Sequence, residues 1–192
     1  MSDTDKRLVQ KAKNGDKHAF GKLVTKYQRW ILNLAYELVH NWEEAKDLAQ
    51  EAFIRSYEKL AQFQERSEFS TWLYRITINL VTDFIRQQKK YEYEELDEKS
   101  ISENRLALNP ISAQASIEDP VERTELRQNL DRAIQSLSEQ QRIVTVLRYF
   151  HQKPLPEIAK IMECSESTAR VHLFRAMTNL RKLLGNSIVE HV

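Results

Sequence analysis

One cysteine, three glycines and four prolines occur in the 192 residues. The lone Cys164 excludes a disulfide scaffold and a multi-cysteine metal knot. So few glycines and prolines exclude a Gly-rich nucleotide fold and a sandwich with many turns. No run approaches the roughly 18 consecutive apolar residues of a membrane span, so direct membrane insertion is not expected. The opening MSDTDKRL is charged, has no apolar run behind it and does not read as a signal peptide. A cytoplasmic protein is the expectation. His18, His40, His151, His172 and His191 show no ligand spacing, so neither a metal nor another cofactor is expected. The acidic cluster Glu92–Glu98 lies in a stretch without a rigid frame, and no His or Cys pairs with a nucleophile. An enzyme is therefore not expected.

What is present is helix-forming and charged. Hydrophobic residues make up 41% and charged residues 30%, enough for one large core or two small ones. The net charge of +1 hides an uneven placement. Residues 1–91 carry 16 basic and 12 acidic side chains, residues 92–125 carry 3 and 10, and residues 126–192 carry 10 and 6. Two mildly basic blocks thus flank an acidic one, a pattern that permits nucleic-acid binding without requiring it.

In the first block Ala19, Phe20, Leu23, Val24, Tyr27, Ile31, Leu34 and Leu38 recur at helical steps. Asn41 with Glu44 reads as a capping box that restarts the helix, with Leu48, Ala52, Phe53, Tyr57 and Leu60 inward. After the polar stretch Gln62–Glu68, a third helix is expected from about Ser70 to Lys90, inward through Phe69, Leu73, Ile76, Leu80 and Phe84. Periodicity then fails across Tyr91–Asp119, which predicts an extended or partly disordered linker. It resumes through Leu126, Leu130, Ala133, Ile134 and Leu137. Ser138 with Gln141 reads as a second capping box, with Ile143, Leu147 and Phe150 beneath it. Pro156 suits the first turn of another helix, and Ser165 can cap the last. The fold class is all-α: residues 1–91 and 122–192 form two small helical domains, joined by an acidic linker over 92–121.

Residues 155–184 have the form of a helix-turn-helix, in which the second helix presents its free face to a major groove. That face holds Ser167, Arg170, Val171, Phe174, Arg175 and Thr178. Arginine reads guanine bidentately and hydroxyls reach phosphate or base. Phe174 suits either a thymine methyl or the core. The third helix carries Arg75, Asn79, Thr82 or Asp83, and Arg86 opposite its apolar stripe, with Trp72 and Tyr74 beside it, Phe63 in the preceding loop and Phe69 closing that loop. Rings for stacking, an amide for base edges and arginines for phosphates are the parts of a single-stranded nucleic-acid site. The bland alternative is buried rings and solvated arginines.

The string Asp47-Leu48-Ala49-Gln50-Glu51-Ala52-Phe53, then Phe69-Ser70-Thr71-Trp72-Leu73-Tyr74-Arg75-Ile76 with Asn79 and Asp83, resembles region 2 of bacterial sigma-70-family factors, in the small extracytoplasmic-function subgroup. Leu155–Leu184, with Glu157-Ile158-Ala159 and Ser165 through Arg175, resembles region 4 of that subgroup. The resemblance implies a promoter-selecting subunit of core RNA polymerase. It implies polymerase binding through Asp47, Gln50, Glu51 and Arg55. It implies capture and melting of a −10 element through the loop Ala61–Glu68 with Phe63, Phe69, Trp72, Arg75, Asn79, Asp83 and Arg86. Recognition of a −35 duplex would fall to Ser165, Ser167, Thr168, Arg170, Val171, Phe174 and Arg175. It also implies an anti-sigma factor as antagonist, commonly membrane-anchored in the family. Against the family pattern, the turn is Glu163-Cys164-Ser165 where a Gly is frequent, so a left-handed residue is less comfortable there. The competing reading is a stand-alone helix-turn-helix regulator with an N-terminal sensing or dimerisation domain.

Overall fold

The computed structural model describes residues 3–99 and 121–185, and every regular element among them is helical. Five helices or turns form the first half: α1 (Asp3–Lys13), α2 (Lys17–Val39), α3 (Trp42–Glu58), a 3₁₀ turn (Leu60–Gln62) and α4 (Phe69–Lys99). The second half has α5 (Val121–Gln135), α6 (Glu139–Thr145) running into a π-helical turn (Val146–Phe150), α7 (Leu155–Ile161) and α8 (Glu166–Leu184).

Local chemistry sets the breaks. Asp16 caps α2 by accepting from the Ala19 N–H at 3.0 Å, and this bond holds its carboxyl below the usual range. His40 ends α2 in the left-handed region at φ 57°, its N–H bonded to the Tyr36 carbonyl. Asn41 then caps α3 through the Glu43 and Glu44 N–H groups. Only half of that expected capping box forms, because Glu44 accepts from Gln88 of α4 instead. Ser138 likewise makes no side-chain cap, and Gln141 accepts from Asn179 of α8. In both places a tertiary partner outcompetes a local one.

The main core joins Leu23, Ile31, Leu34 and Leu38 of α2 to Phe69, Leu73, Tyr74 and Val81 of α4. Ala45, Ala49 and Ala52 keep the inner face of α3 small, so its backbone lies close to α2. The same cluster continues through Ile143, Val144, Val146 and Leu147 into Ile158 and Ile161 of α7, so the two halves are docked. A smaller cluster seals α5 onto α8 through Ala133, Ile134, Leu137, Ala176 and Leu180.

Four details depart from the periodic expectation. α4 runs to Lys99, about nine residues past its expected end, while residues 100–120 of the expected linker lie outside the described residues. Helix α1 precedes the first periodic stretch; Asp3 and Asp5 sit in its first turn and Lys11 and Lys13 in its last, which suits the helix dipole. Tyr57 faces outward at 39% exposure, against the Phe20 ring. Phe150 is 41% exposed because the π-turn rotates it off the inner stripe.

Candidate nucleic-acid and protein interfaces

Trp72, Arg75, Asn79, Asp83 and Arg86 follow one another at steps of three and four, which lines them along one face of α4. Asn79, Asp83 and Arg86 are exposed, whereas Trp72 and Arg75 are half-buried. The helix beneath is held rigidly, since Ile78, Leu80, Val81 and Thr82 are all buried. Phe63 and Phe69 do not join this surface. They are 4% and 1% exposed and form a tilted aromatic cluster with Trp72, at centroid distances of 4.8 and 5.8 Å from it. Their contribution is to support the Trp72 ring, and the expectation that they themselves face nucleic acid is corrected. What the loop does present is Gln62, Gln64 and Arg66, which are exposed around the buried Phe63. Sequence reasoning named the loop but not these side chains; polar residues on either side of one apolar anchor were the available signal.

In the second half, α7 and α8 meet at a turn that does contain a left-handed residue. Glu163 adopts it at φ 53° without being glycine, a strain of roughly 1–3 kcal/mol that the surrounding packing must offset. Ser165 is spent on the cap of α8, accepting from the Thr168 N–H at 3.0 Å while its hydroxyl also meets Ser167 and Thr168. Ala169, Ala176 and Leu180 are the buried face of α8. Arg170, Val171, Phe174 and Arg175 point away from it, and Phe174 at 70% exposure is no part of the core. Among the described residues Arg170 pairs with the exposed Glu166 one turn back, at 2.9 Å. Cys164 is free and half-buried, and burial pushes its thiol up, which suits a small packed side chain.

On α3, Asp47 and Gln50 are exposed, while Glu51 and Arg55 pair at 2.7 Å one turn apart. Gln50 borders an open groove of about 630 Å³ between α2 and α3, whose apolar wall includes Phe20, Val24, Leu32, Phe53, Ile54 and Tyr57. The exposure of Ile54 and Tyr57 there is unusual for a water-facing helix, and the periodic reading missed it by turning Tyr57 inward.

The docked halves cover part of α4. Arg75 holds Glu163 of the helix-turn-helix at 2.6 Å, and Arg86 holds Glu139 through two nitrogens at 3.0 and 3.2 Å. The Tyr74 hydroxyl meets His151 Nδ1 at 2.9 Å, and Lys153 lies over the Tyr74 ring. Burial, with Lys153 close by, lowers His151 to about 4, so the ring is neutral near pH 7. At the other end Arg142 is buried and donates to the Leu38 carbonyl at 3.1 Å. His40 pairs with Asp131 at 3.4 Å, and that carboxylate raises its pKa against the opposing effect of burial. Among the described residues no three His, Cys, Asp or Glu side chains group so as to hold a metal ion. No helix among them is long and apolar enough to cross a membrane.

Comparison with known proteins matches residues 23–91 to the model of sigma-70 region 2 and residues 127–180 to that of sigma-70 region 4. The chain is 37% identical to the RNA polymerase sigma-H factor of Pseudomonas aeruginosa, over 95% of this chain and 94% of that one. It is 37% identical to the ECF RNA polymerase sigma factor SigW of Bacillus subtilis, over 93% and 96%. It is 36% identical to the ECF RNA polymerase sigma-E factor of Escherichia coli, over 96% and 94%. Among solved structures, CnrH in complex with the cytosolic domain of CnrY superposes with a TM-score of 0.70 at 22% identity, covering 96% of this chain and 99% of that one. The sigma factor RpoE of Bartonella quintana, solved with the anti-sigma factor NepR, gives 0.61 at 23% identity, over 88% and 98%. Both likenesses are of fold.

Proposed function

This chain belongs to the sigma-70 family of RNA polymerase sigma factors, in its extracytoplasmic-function subgroup, and on that footing we propose how its surfaces divide the work of promoter recognition. As an alternative sigma factor it binds core RNA polymerase and directs promoter-specific transcription initiation. In our reading residues 1–91 form the polymerase-binding and −10-reading domain, residues 92–121 the acidic linker, which starts on the end of α4 and reaches the first residue of α5, and residues 122–192 the −35-reading domain. Asp47, Gln50, Glu51 and Arg55 meet the polymerase, and the apolar groove beside Gln50 extends that surface.

The observation that carries this reading is the outward face of α4 next to the loop Ala61–Glu68. Trp72 offers a ring for stacking, Asn79 an amide for a base edge, and Arg75 and Arg86 charges for phosphates. Asp83 accepts from base amino groups on the same face. Arg75 and Arg86 exchange Glu163 and Glu139 for phosphates when DNA arrives, replacing one charge-assisted bond by another. Arg170, Phe174 and Arg175 of α8 read the −35 duplex, with Val171, Ser167 and Thr168 beside them, while Ser165 fixes the helix start. The chain contributes recognition rather than catalysis and works in the cytoplasm, where polymerase and promoter are. An anti-sigma factor that masks the polymerase-binding surface is the proposed antagonist.

Run-off transcription by core polymerase on a promoter library, with and without the chain, tests this. Transcripts starting downstream of paired −35 and −10 elements only when the chain is present are expected. Tight duplex binding by the isolated chain, with no effect on start-site choice, would instead make it a stand-alone regulator.

A further inference from the structure

Helix α1 lies outside the segment that matches region 2, which begins at residue 23, yet it grips the loop that region uses. Lys13, in its last turn, donates from Nζ to the Phe63 carbonyl at 2.5 Å and approaches the Glu65 carboxylate at 3.6 Å. Gln10, one turn earlier on the same face, donates to that carboxylate as well. The Lys13 ammonium also sits 5.7 Å from the Phe63 ring centroid, and that ring packs on Trp72 at 4.8 Å between centroids. Both partners of the ion pair are largely shielded, with side-chain exposures of 20% and 27%.

Glu65 is the residue that needs gripping. It stands in the left-handed region at φ 56°, which a non-glycine residue leaves readily unless its surroundings hold it. α1 is able to hold it because it is itself anchored. Val9 and Ala12 are buried, and the buried Asp5 carboxylate takes Lys26 at 2.7 Å and the Tyr27 hydroxyl at 2.9 Å. The chain of contacts therefore runs from the α2 core through α1 to Glu65, and through Phe63 to Trp72.

We propose that Lys13 is a positioning residue for base capture: with Gln10 it locks Glu65 and Phe63, so that Gln62, Gln64, Arg66 and the Trp72 ring are presented in one preset geometry. This rests on the reading of the loop as the captor of a −10 base. A site preset in the free protein discriminates bases by fit; a loose loop re-forms around either base and discriminates less. The residues that wall the α2–α3 groove include neither Lys13 nor Gln10, so the lock lies outside the surface proposed for polymerase.

The test uses holoenzyme reconstituted with full-length chain on promoters varied base by base through the −10 element. K13M is expected to lower selectivity at one captured position roughly tenfold, with unchanged affinity for core polymerase and unchanged preference at −35. K13R is expected to recover most of it. E65A, a change on the loop surface, should reproduce the loss even where K13M folds poorly. The double variant K13M/E65A should be no worse than the worse single variant, since both break one lock. Q64A and R66A probe the underlying reading separately. If neither alters selectivity at any −10 position, the loop captures no base and that reading fails. If they alter it while K13M and E65A do not, the role of α1 is overturned. A uniform loss across all promoters in K13M would overturn it too, by reducing Lys13 to a stability residue.

Discussion

Replacing Asn79 by alanine separates promoter opening from everything else the chain does. Asn79 is exposed on α4, between helical turns whose inner residues Ile78, Leu80 and Val81 are buried. Its removal leaves no cavity, and alanine is the better helix former by up to about 0.7 kcal/mol. The variant should therefore melt at the wild-type temperature or slightly above, and bind core polymerase as the wild type does. If the amide bonds a base edge once the strand is unpaired, its loss should weaken the open complex by about 1–3 kcal/mol. At about 1.4 kcal/mol per decade that is roughly a 5- to 150-fold drop in open complexes. Permanganate reactivity of unpaired thymines reads this directly on duplex promoter. Unstacking itself costs a few kcal/mol per extruded base for wild type and variant alike, so a pre-melted template should raise the level reached by both and leave the base-specific difference in affinity. The isolated protein should give no reactivity, because its first block carries only 16 basic against 12 acidic side chains and cannot hold the duplex against that cost. Wild-type opening by Asn79→Ala on duplex DNA would remove Asn79 from the site. Strong reactivity without polymerase would refute the division of labour.

Arg170→Ala or Arg175→Ala should weaken −35 recognition by about 1–3 kcal/mol at one base pair if the arginine reads guanine, and uniformly across sequences if it meets only phosphate; a competition binding profile by holoenzyme distinguishes these, and no change in either variant refutes a role at −35. The docking of the halves should respond to charge, since Arg75–Glu163 and Arg86–Glu139 are partly exposed pairs worth about 0.2–1 kcal/mol each. Glu139→Lys with Glu163→Lys should lower the melting temperature, and by less in high salt, while small-angle scattering shows the halves still docked through their shared apolar core; an unchanged melting temperature would remove the two pairs from the docking. His151 should make the fold acid-sensitive: its folded pKa of about 4 lies below the ordinary 6.5, so its contribution is complete above pH 6.5 and is lost as pH falls toward 4, by up to about 3 kcal/mol. Melting curves should show His151→Gln losing less stability than wild type over that window. His40 has the opposite sign, its raised pKa giving a contribution present below 6.5 and lost as pH rises through the folded value.

Helix type and order were legible because a 3.6-residue apolar period leaves little freedom: α2, α3, α7 and α8 fall where Leu, Ile and Ala recur, with Asn41 and Ser165 able to cap α3 and α8. The motif strings for α3, α4 and α8 likewise identified the family from residue order alone, since they depend on no contact distant in the chain. Periodicity assigns a face but not what covers it. Whether Phe63 and Phe69 meet nucleic acid or support Trp72, and whether Phe174 is core or exposed, depended on neighbours brought in from other helices. Short-range capping rules failed at Glu44 and Gln141 for the same reason, because Gln88 and Asn179 offered better-placed partners across the fold. The lock of Lys13 on Phe63 and Glu65 spans fifty residues of sequence, and the pairing of Arg75 with Glu163 spans 88. No local pattern encodes either. A charged side chain chooses among partners by distance and shielding, and those quantities exist only once the helices have packed.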